Sequence, residues 1–207
     1  RYSTQHEISV RLPDGFQVGG AHNNFDAQGN FENPYINRNA VVVDRANDPI
    51  LRQVIEDARQ RFGHLPPRER AEALNGYARQ LMRPEGMSGR QLDAWYDNFV
   101  QQHAGERVHL GQFIREGRGV CSQQATLMHV LASELGLNST LVRGGGDPRN
   151  PNQMNHAWTH ITFDGAREPL VFDPRHQING RPYGELAPSH RRGSIIENLQ
   201  RPAEAPV

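Results

Sequence analysis

The chain holds one cysteine, Cys121, alongside ten histidines. A single cysteine forms no internal disulfide and builds no CxxC metal site, so its chemistry is that of a lone thiol, reactive or packed. Cys121 ends the stretch Gly117-Arg118-Gly119-Val120-Cys121, where a glycine-bracketed turn enters a run of helical apolar spacing from Ser122 to Leu135. A helix N-terminus carries about half a positive charge and N–H groups outside the helix's own ladder. That setting favours a thiolate, the nucleophilic form of cysteine. Gly119 allows close backbone approach, and the Cys121 N–H is placed to meet an oxyanion. Such a nucleophile needs a base and a group to orient it. His156 in Asn155-His156-Ala157-Trp158 and Asp173 in Val171-Phe172-Asp173-Pro174 supply both, on strand-like segments that could lie side by side. In that arrangement Asp173 holds the imidazole tautomer while His156 takes and returns the proton. The competing expectation, a small hydrophobe packed beneath a helix, does not account for the three residues arriving in this order.

Other residues of chemical type point to less. His156 and His160 have the i, i+4 spacing of a helical zinc site, but the sequence reads HAWTH, not HExxH. On a strand the two lie roughly 13 Å apart by rise alone, so no metal is expected. Gly144-Gly145-Gly146 lacks the GK[ST] of a phosphate loop, and the turn-rich segment from Gly144 to Gln153 reads as a mobile loop beside the site. Trp158 shares the His156 face of its strand, as a wall of the substrate channel or as core. His129, two turns beyond Cys121, reads as structural, and His190-Arg191-Arg192 as surface. No cofactor is implied.

The elements that must position these residues are legible in part. The 207 residues are a size for one core. At 36% apolar, with no apolar run near the ~20 residues of a membrane-spanning helix, a transmembrane protein is excluded. The 23 basic residues balance 23 acidic ones, which argues against a nucleic-acid partner. All 23 basic residues are Arg, and the chain has no Lys. The start at Arg1, without an initiator Met or a leader pattern, reads as a mature or excised piece.

Residues 1–45, rich in Asn, Gly, Pro and Gln, read as a loosely structured arm or linker. Asp48-Pro49 then opens a helix that Gly63 ends. A second helix follows Pro66-Pro67 and stops at Pro84; a third runs from about Gly89 to His103. All three are amphipathic covering helices, on which Arg59 and Arg79 read as exposed. A short segment with Phe113 and Ile114 precedes the Cys121 turn. Strand-like runs follow at Asn138 to Arg143, His156 to Phe163 and Pro169 to Asp173, with Asp164-Gly165 as a hairpin turn. Helices followed by an antiparallel sheet predict an α+β domain over residues 46–200, with 201–207 a loose tail.

Taken together, Gly117 to Cys121, the helix after it, Leu141-Val142-Arg143-Gly144, Asn155 to Trp158 and Val171 to Pro174 resemble the transglutaminase-like superfamily, over roughly Leu110 to Arg175. The resemblance implies a papain-like fold, with cysteine at the start of a core helix and histidine and aspartate on neighbouring strands. It implies Cys121, His156 and Asp173 as a catalytic triad, and transglutaminase, deamidase, peptidase or amidase chemistry. Relatives often supply a second oxyanion donor from a Trp or Gln upstream of the cysteine, a place for which Gln112 is the candidate here.

The expected function is a thiol acyltransferase or hydrolase acting on carboxamides through a Cys121 acyl-enzyme, with glutamine side chains of proteins as the preferred substrate. A chain with 15 Gln and no Lys offers itself no acceptor amine. The same composition fits a secreted effector or toxin domain that avoids modification in a target cell. Alternatives are a cysteine peptidase or amidase with the same triad, and a non-catalytic protein-binding module. Partners are expected to be a protein or peptide substrate, with residues 1–45 as a docking arm, and neither nucleic acid nor membrane.

Overall fold

The computed structural model describes residues 2–3, 7–18, 41–103, 106–144 and 156–182. Three short strands come first: β1 (Tyr2–Ser3), β2 (Glu7–Ile8) and β3 (Phe16–Val18). After β4 (Val41–Val43) come α1 (Pro49–Phe62), α2 (Pro67–Met82) and α3 (Gly89–Gln102). Then β5 (Val108–His109) leads to α4 (Leu110–Glu116) and α5 (Cys121–Glu134), and β6 (Asn138–Gly144), β7 (His156–Thr162), β8 (Leu170–Asp173) and β9 (Ile178–Pro182) complete the described order.

The helix boundaries follow local chemistry. Asp48 caps α1 by accepting from Leu51 N at 3.1 Å, and its other oxygen accepts from Gly111 N at 2.7 Å, which ties the start of α4 to the start of α1. Ser88 and Gln91 form a reciprocal cap at the start of α3. Gly117 ends α4 at φ +65, a left-handed conformation that costs glycine little.

The principal sheet runs β2-β6-β7-β8-β9 and is antiparallel throughout. A smaller mixed sheet runs β1-β3-β4-β5. Helix α5 lies between the principal sheet and the other helices, and every residue from Cys121 to Ala132 is buried. It is therefore a central helix, not one with a single apolar face, and its polar side chains have to be satisfied inside the protein.

The expectation of a loose arm over 1–45 is corrected for its described part. Ile8, Leu12, Phe16, Val18, Val41 and Val43 are buried in the same apolar cluster as α1 to α5. Strands of two or three residues show no periodicity in a sequence; they exist here because other strands pair with them, β6 with β2 and β5 with β4 from far downstream. Residues 19–40 and the tail 201–207 lie outside the described residues. No helix among the described residues is long and apolar enough to cross a membrane.

Candidate active site

Cys121 is the first residue of α5, where its backbone N–H lies outside the helical ladder. The turn that delivers it is pinned on two sides. Gly119 N donates to Met82 O at 2.9 Å, and a Cβ at Gly119 would sit 2.9 Å from Gln123 Cβ and 3.0 Å from Met82 Sδ. The glycine thus serves contact with the end of α2 and with the first turn of α5. Gln123, fully buried, accepts from Val120 N at 3.0 Å and donates to Tyr96 Oη at 3.2 Å. Gln124 donates to Gly119 O at 2.7 Å. Adjacent glutamines in a helix's first turn were the sequence signal for this scaffold, and sequence reasoning did not use it.

His156 opens β7 and Asp173 closes β8. The register pairs Thr159 with Phe172 and His160 with Val171, so its continuation sets Asp173 opposite Trp158 and diagonal to His156, within reach of long side chains on one sheet face. His156 Nε2 donates to Asp173 Oδ2 at 2.7 Å. That leaves Nδ1 for the Cys121 side chain, with which His156 also hydrogen-bonds. Burial on its own would push the His156 imidazole down, but the Asp173 carboxylate and its hydrogen bond, with the Cys121 thiol, reverse this and pull it up to about 10. A protonated imidazole between a carboxylate and a thiol stabilises the thiolate. Cys121 is buried but belongs to neither apolar cluster of the described residues.

Asp173 is fully buried, and its second oxygen accepts from His176 N at 3.2 Å. The turn that follows it is clamped by α2. Arg79 donates to Pro174 O at 2.7 Å and to Arg175 O at 2.9 Å, Arg83 donates to Arg175 O at 3.1 Å, and Asn75 donates to Ile178 O at 2.9 Å. Asn75 and Arg79 are spaced i, i+4 on one stripe of α2, and Arg83 is the residue that follows the helix end. Arg79, expected as an exposed position, is partly buried and holds the segment that carries the aspartate. The i+4 polar stripe was visible in the sequence, but its partner was not.

Trp158 is buried with its ring stacked on His156, centroids 5.4 Å apart and planes at 26°. It also packs in a small cluster with Val142 and Val171. Its packing with Val142 and Val171 fits the core expectation for this residue, and its stacking sets it beside His156. Gln112 is half-buried in the first turn of α4, next to the Gly111 that Asp48 holds, and no described hydrogen bond joins it to Cys121 or His156. His129 is structural, as expected: Nδ1 pairs with Ser139 Oγ and Nε2 with Val10 O, both at 2.9 Å, and burial pushes it down to about 4. The loop from Gly145 to Gln153 and residues 190–192 lie outside the described residues.

Among the described residues one grouping has metal-ligand types, His156, Asp173 and His176, with ligand atoms within 4.8 Å of one another. Two of its three members are already joined in the 2.7 Å His156–Asp173 bond, and the His176 ring lies 4.8 Å from that of His156. His176, one turn past the aspartate, was not singled out in the sequence.

The family model for the transglutaminase-like superfamily matches residues 60–167, more than half of the chain. The chain belongs to the transglutaminase-like superfamily. Membership accords with the α+β architecture described above. Among solved structures the chain is similar to that of a candidate cysteine protease from Cytophaga hutchinsonii, at 18% identity and a TM-score of 0.40, over 63% of this chain and 42% of that one. The chain thus spans less than half the length of that protein. Comparison with curated proteins finds no match.

Proposed function

We propose that this transglutaminase-like protein acts on carboxamides, with glutamine side chains of proteins as substrate, through Cys121, His156 and Asp173. The observation that carries the reading is the single line of contacts from buried Asp173 through His156 Nε2 to the Cys121 thiol at a helix start. The thiolate adds to the amide carbonyl, and the Cys121 backbone N–H is placed to donate to the oxyanion. His156 gives its proton to the leaving nitrogen, the C–N bond breaks, and ammonia departs from a thioester. His156 then takes a proton from water or an amine as that nucleophile attacks. Collapse breaks the C–S bond and restores the thiolate and imidazolium. Water yields glutamate, and an amine yields a crosslink. The lysine-free composition supports amine transfer, since the enzyme offers itself no acceptor side chain of that kind. It equally supports delivery into a target cell as an effector or toxin domain.

Mass spectrometry of a cell lysate incubated with the protein tests this, with Cys121→Ala as the control. The expected result is Cys121-dependent crosslinked peptides, or a mass gain of about one dalton at glutamine, both being products of one acyl-enzyme. New peptide termini dependent on Cys121 would assign the site to backbone cleavage instead. A wild-type protein whose Cys121 resists iodoacetamide at pH 6 would have no activated thiol, and a binding role would replace the enzymatic one.

A further inference from the structure

His156, Trp158 and His160 alternate along β7 and so share one face of the principal sheet. The first is the proposed base, and the second lies stacked on it. The third is 3% exposed and is the acceptor of the Trp158 indole N–H, with Nε1 to Nε2 at 3.0 Å. An imidazole that accepts at Nε2 is neutral and carries its proton on Nδ1. Burial agrees with the neutral form, pushing His160 down to about 3.

We infer that His160 is a positioning residue for the cysteine site: its neutral ring holds the indole of Trp158 as a plate over the His156 imidazole. Without an anchor at Nε1 an indole on a strand can turn about its side-chain torsions. The bond to His160 selects the orientation that lies 26° from parallel with His156. The plate covers one side of His156, whose two nitrogens are committed to Asp173 and to the Cys121 side. Keeping water from that ring strengthens its hydrogen bond to the carboxylate and fixes the direction in which Nδ1 meets the thiol. Neither Leu nor a protonated histidine can take the indole proton, whereas a Gln oxygen can.

The inference rests on the proposed nucleophilic role of Cys121, so its test reads two quantities that fail separately. The first is the indole N–H proton resonance of Trp158 in a Trp95→Phe background, where Trp158 is the sole tryptophan. The second is the rate of Cys121 alkylation by iodoacetamide at pH 6. His160→Leu should move the indole proton upfield and slow alkylation roughly three- to tenfold, the loss expected from one hydrogen bond. His160→Gln should bring both back toward wild type. Trp158→Phe keeps a ring but has no N–H, so in that background His160→Leu should add no further slowing. His160→Leu alkylated as fast as wild type, or an indole resonance that does not move, overturns the positioning role. Slow alkylation of the unaltered protein overturns the nucleophile reading and the positioning role with it, a pattern visible before any variant is made. Should His160→Leu fail to fold, the Gln and Phe variants decide: a Gln variant as slow as Trp158→Phe overturns the role, and one close to wild type upholds it.

Discussion

Replacing His129 with Gln should make the protein less sensitive to acid, by an amount that follows from its surroundings. His129 is fully buried in α5 between Ser139 Oγ and Val10 O, and burial holds its pKa at about 4. In the unfolded chain the same imidazole titrates near 6.5. Because the folded value is the lower one, protons favour the unfolded chain. The stability this group leaves intact above pH 6.5 is lost as the pH falls toward 4. Between pH 7 and pH 5 the loss is about 2 kcal/mol, a large share of the roughly 5–15 kcal/mol that holds a domain together. His160, pushed down to about 3, adds a loss of the same sign, but it is present in both proteins and cancels in their difference. Gln does not titrate, and it can still donate to Val10 O. At pH 7 His129→Gln should cost on the order of 1–2 kcal/mol in packing and hydrogen bonding. At pH 5 the gap to wild type should shrink by about 2 kcal/mol. Urea unfolding followed by far-UV circular dichroism at the two pH values measures both gaps, with an unchanged m-value as the check on two-state behaviour. If the two proteins keep the same gap at pH 7 and pH 5, His129 is not a buried neutral group.

Cys121→Ala and His156→Ala should each reduce turnover to background while the fold remains cooperative, and Asp173→Asn should retain more; near-wild-type turnover in His156→Ala would remove it as the base. Gly119→Ala drives a Cβ to 2.9 Å from Gln123 Cβ, and an overpacking cost of about 1–3 kcal/mol should lower the melting temperature by several degrees in a thermal-shift assay. Arg79→Met removes two short bonds to the turn after Asp173 and Arg83→Met removes a longer one, so alkylation of Cys121 should slow more in the first than in the second, and the reverse order would contradict the clamp. Arg59→Lys offers an amine at a side chain 48% exposed on α1; crosslinked oligomers that vanish with Cys121→Ala would identify an amine as acceptor, whereas a monomer that still deamidates another protein makes water the acceptor.

Helices α1, α2, α3 and α5 and strands β6, β7 and β8 were legible because each carries an apolar run bounded by its own signals, such as Asp48-Pro49 at one helix start and Gly63 at its end. The cysteine, histidine and aspartate were legible for a different reason: a thiol at a helix start calls for a base, and few histidines stand on strands followed by an aspartate. What could not be read depends on contacts made through space. The short strands β2, β3 and β4 carry too few residues for any period. Asn75 and Arg79 look like an ordinary polar stripe until the turn after Asp173 is laid against them. Gln112 was chosen for its place ahead of the cysteine, but the Asp48 bond to Gly111 draws that turn toward α1. His160 stood two residues from a tryptophan in plain view, and only the strand's pleat brings the two rings into contact.

The pairing of β2 with β6 also sets an order in time. Ser9 Oγ meets Thr140 Oγ1 at 2.8 Å across a separation of 131 residues, and Val10 O is the acceptor held by His129. A ribosome adding roughly 5–20 residues per second takes about 7–26 seconds to make the intervening chain. Throughout that interval the stretch 7–10 has no partner strand, and closing so long a loop falls late because the entropy is spent before any contact repays it. Docking of that segment finishes two things at once: it covers the outer edge of β6, which would otherwise be open to another chain, and it supplies the carbonyl that satisfies the middle of the cysteine-bearing helix. A fragment beginning at residue 46 would keep Cys121, His156 and Asp173 and still lack this closure.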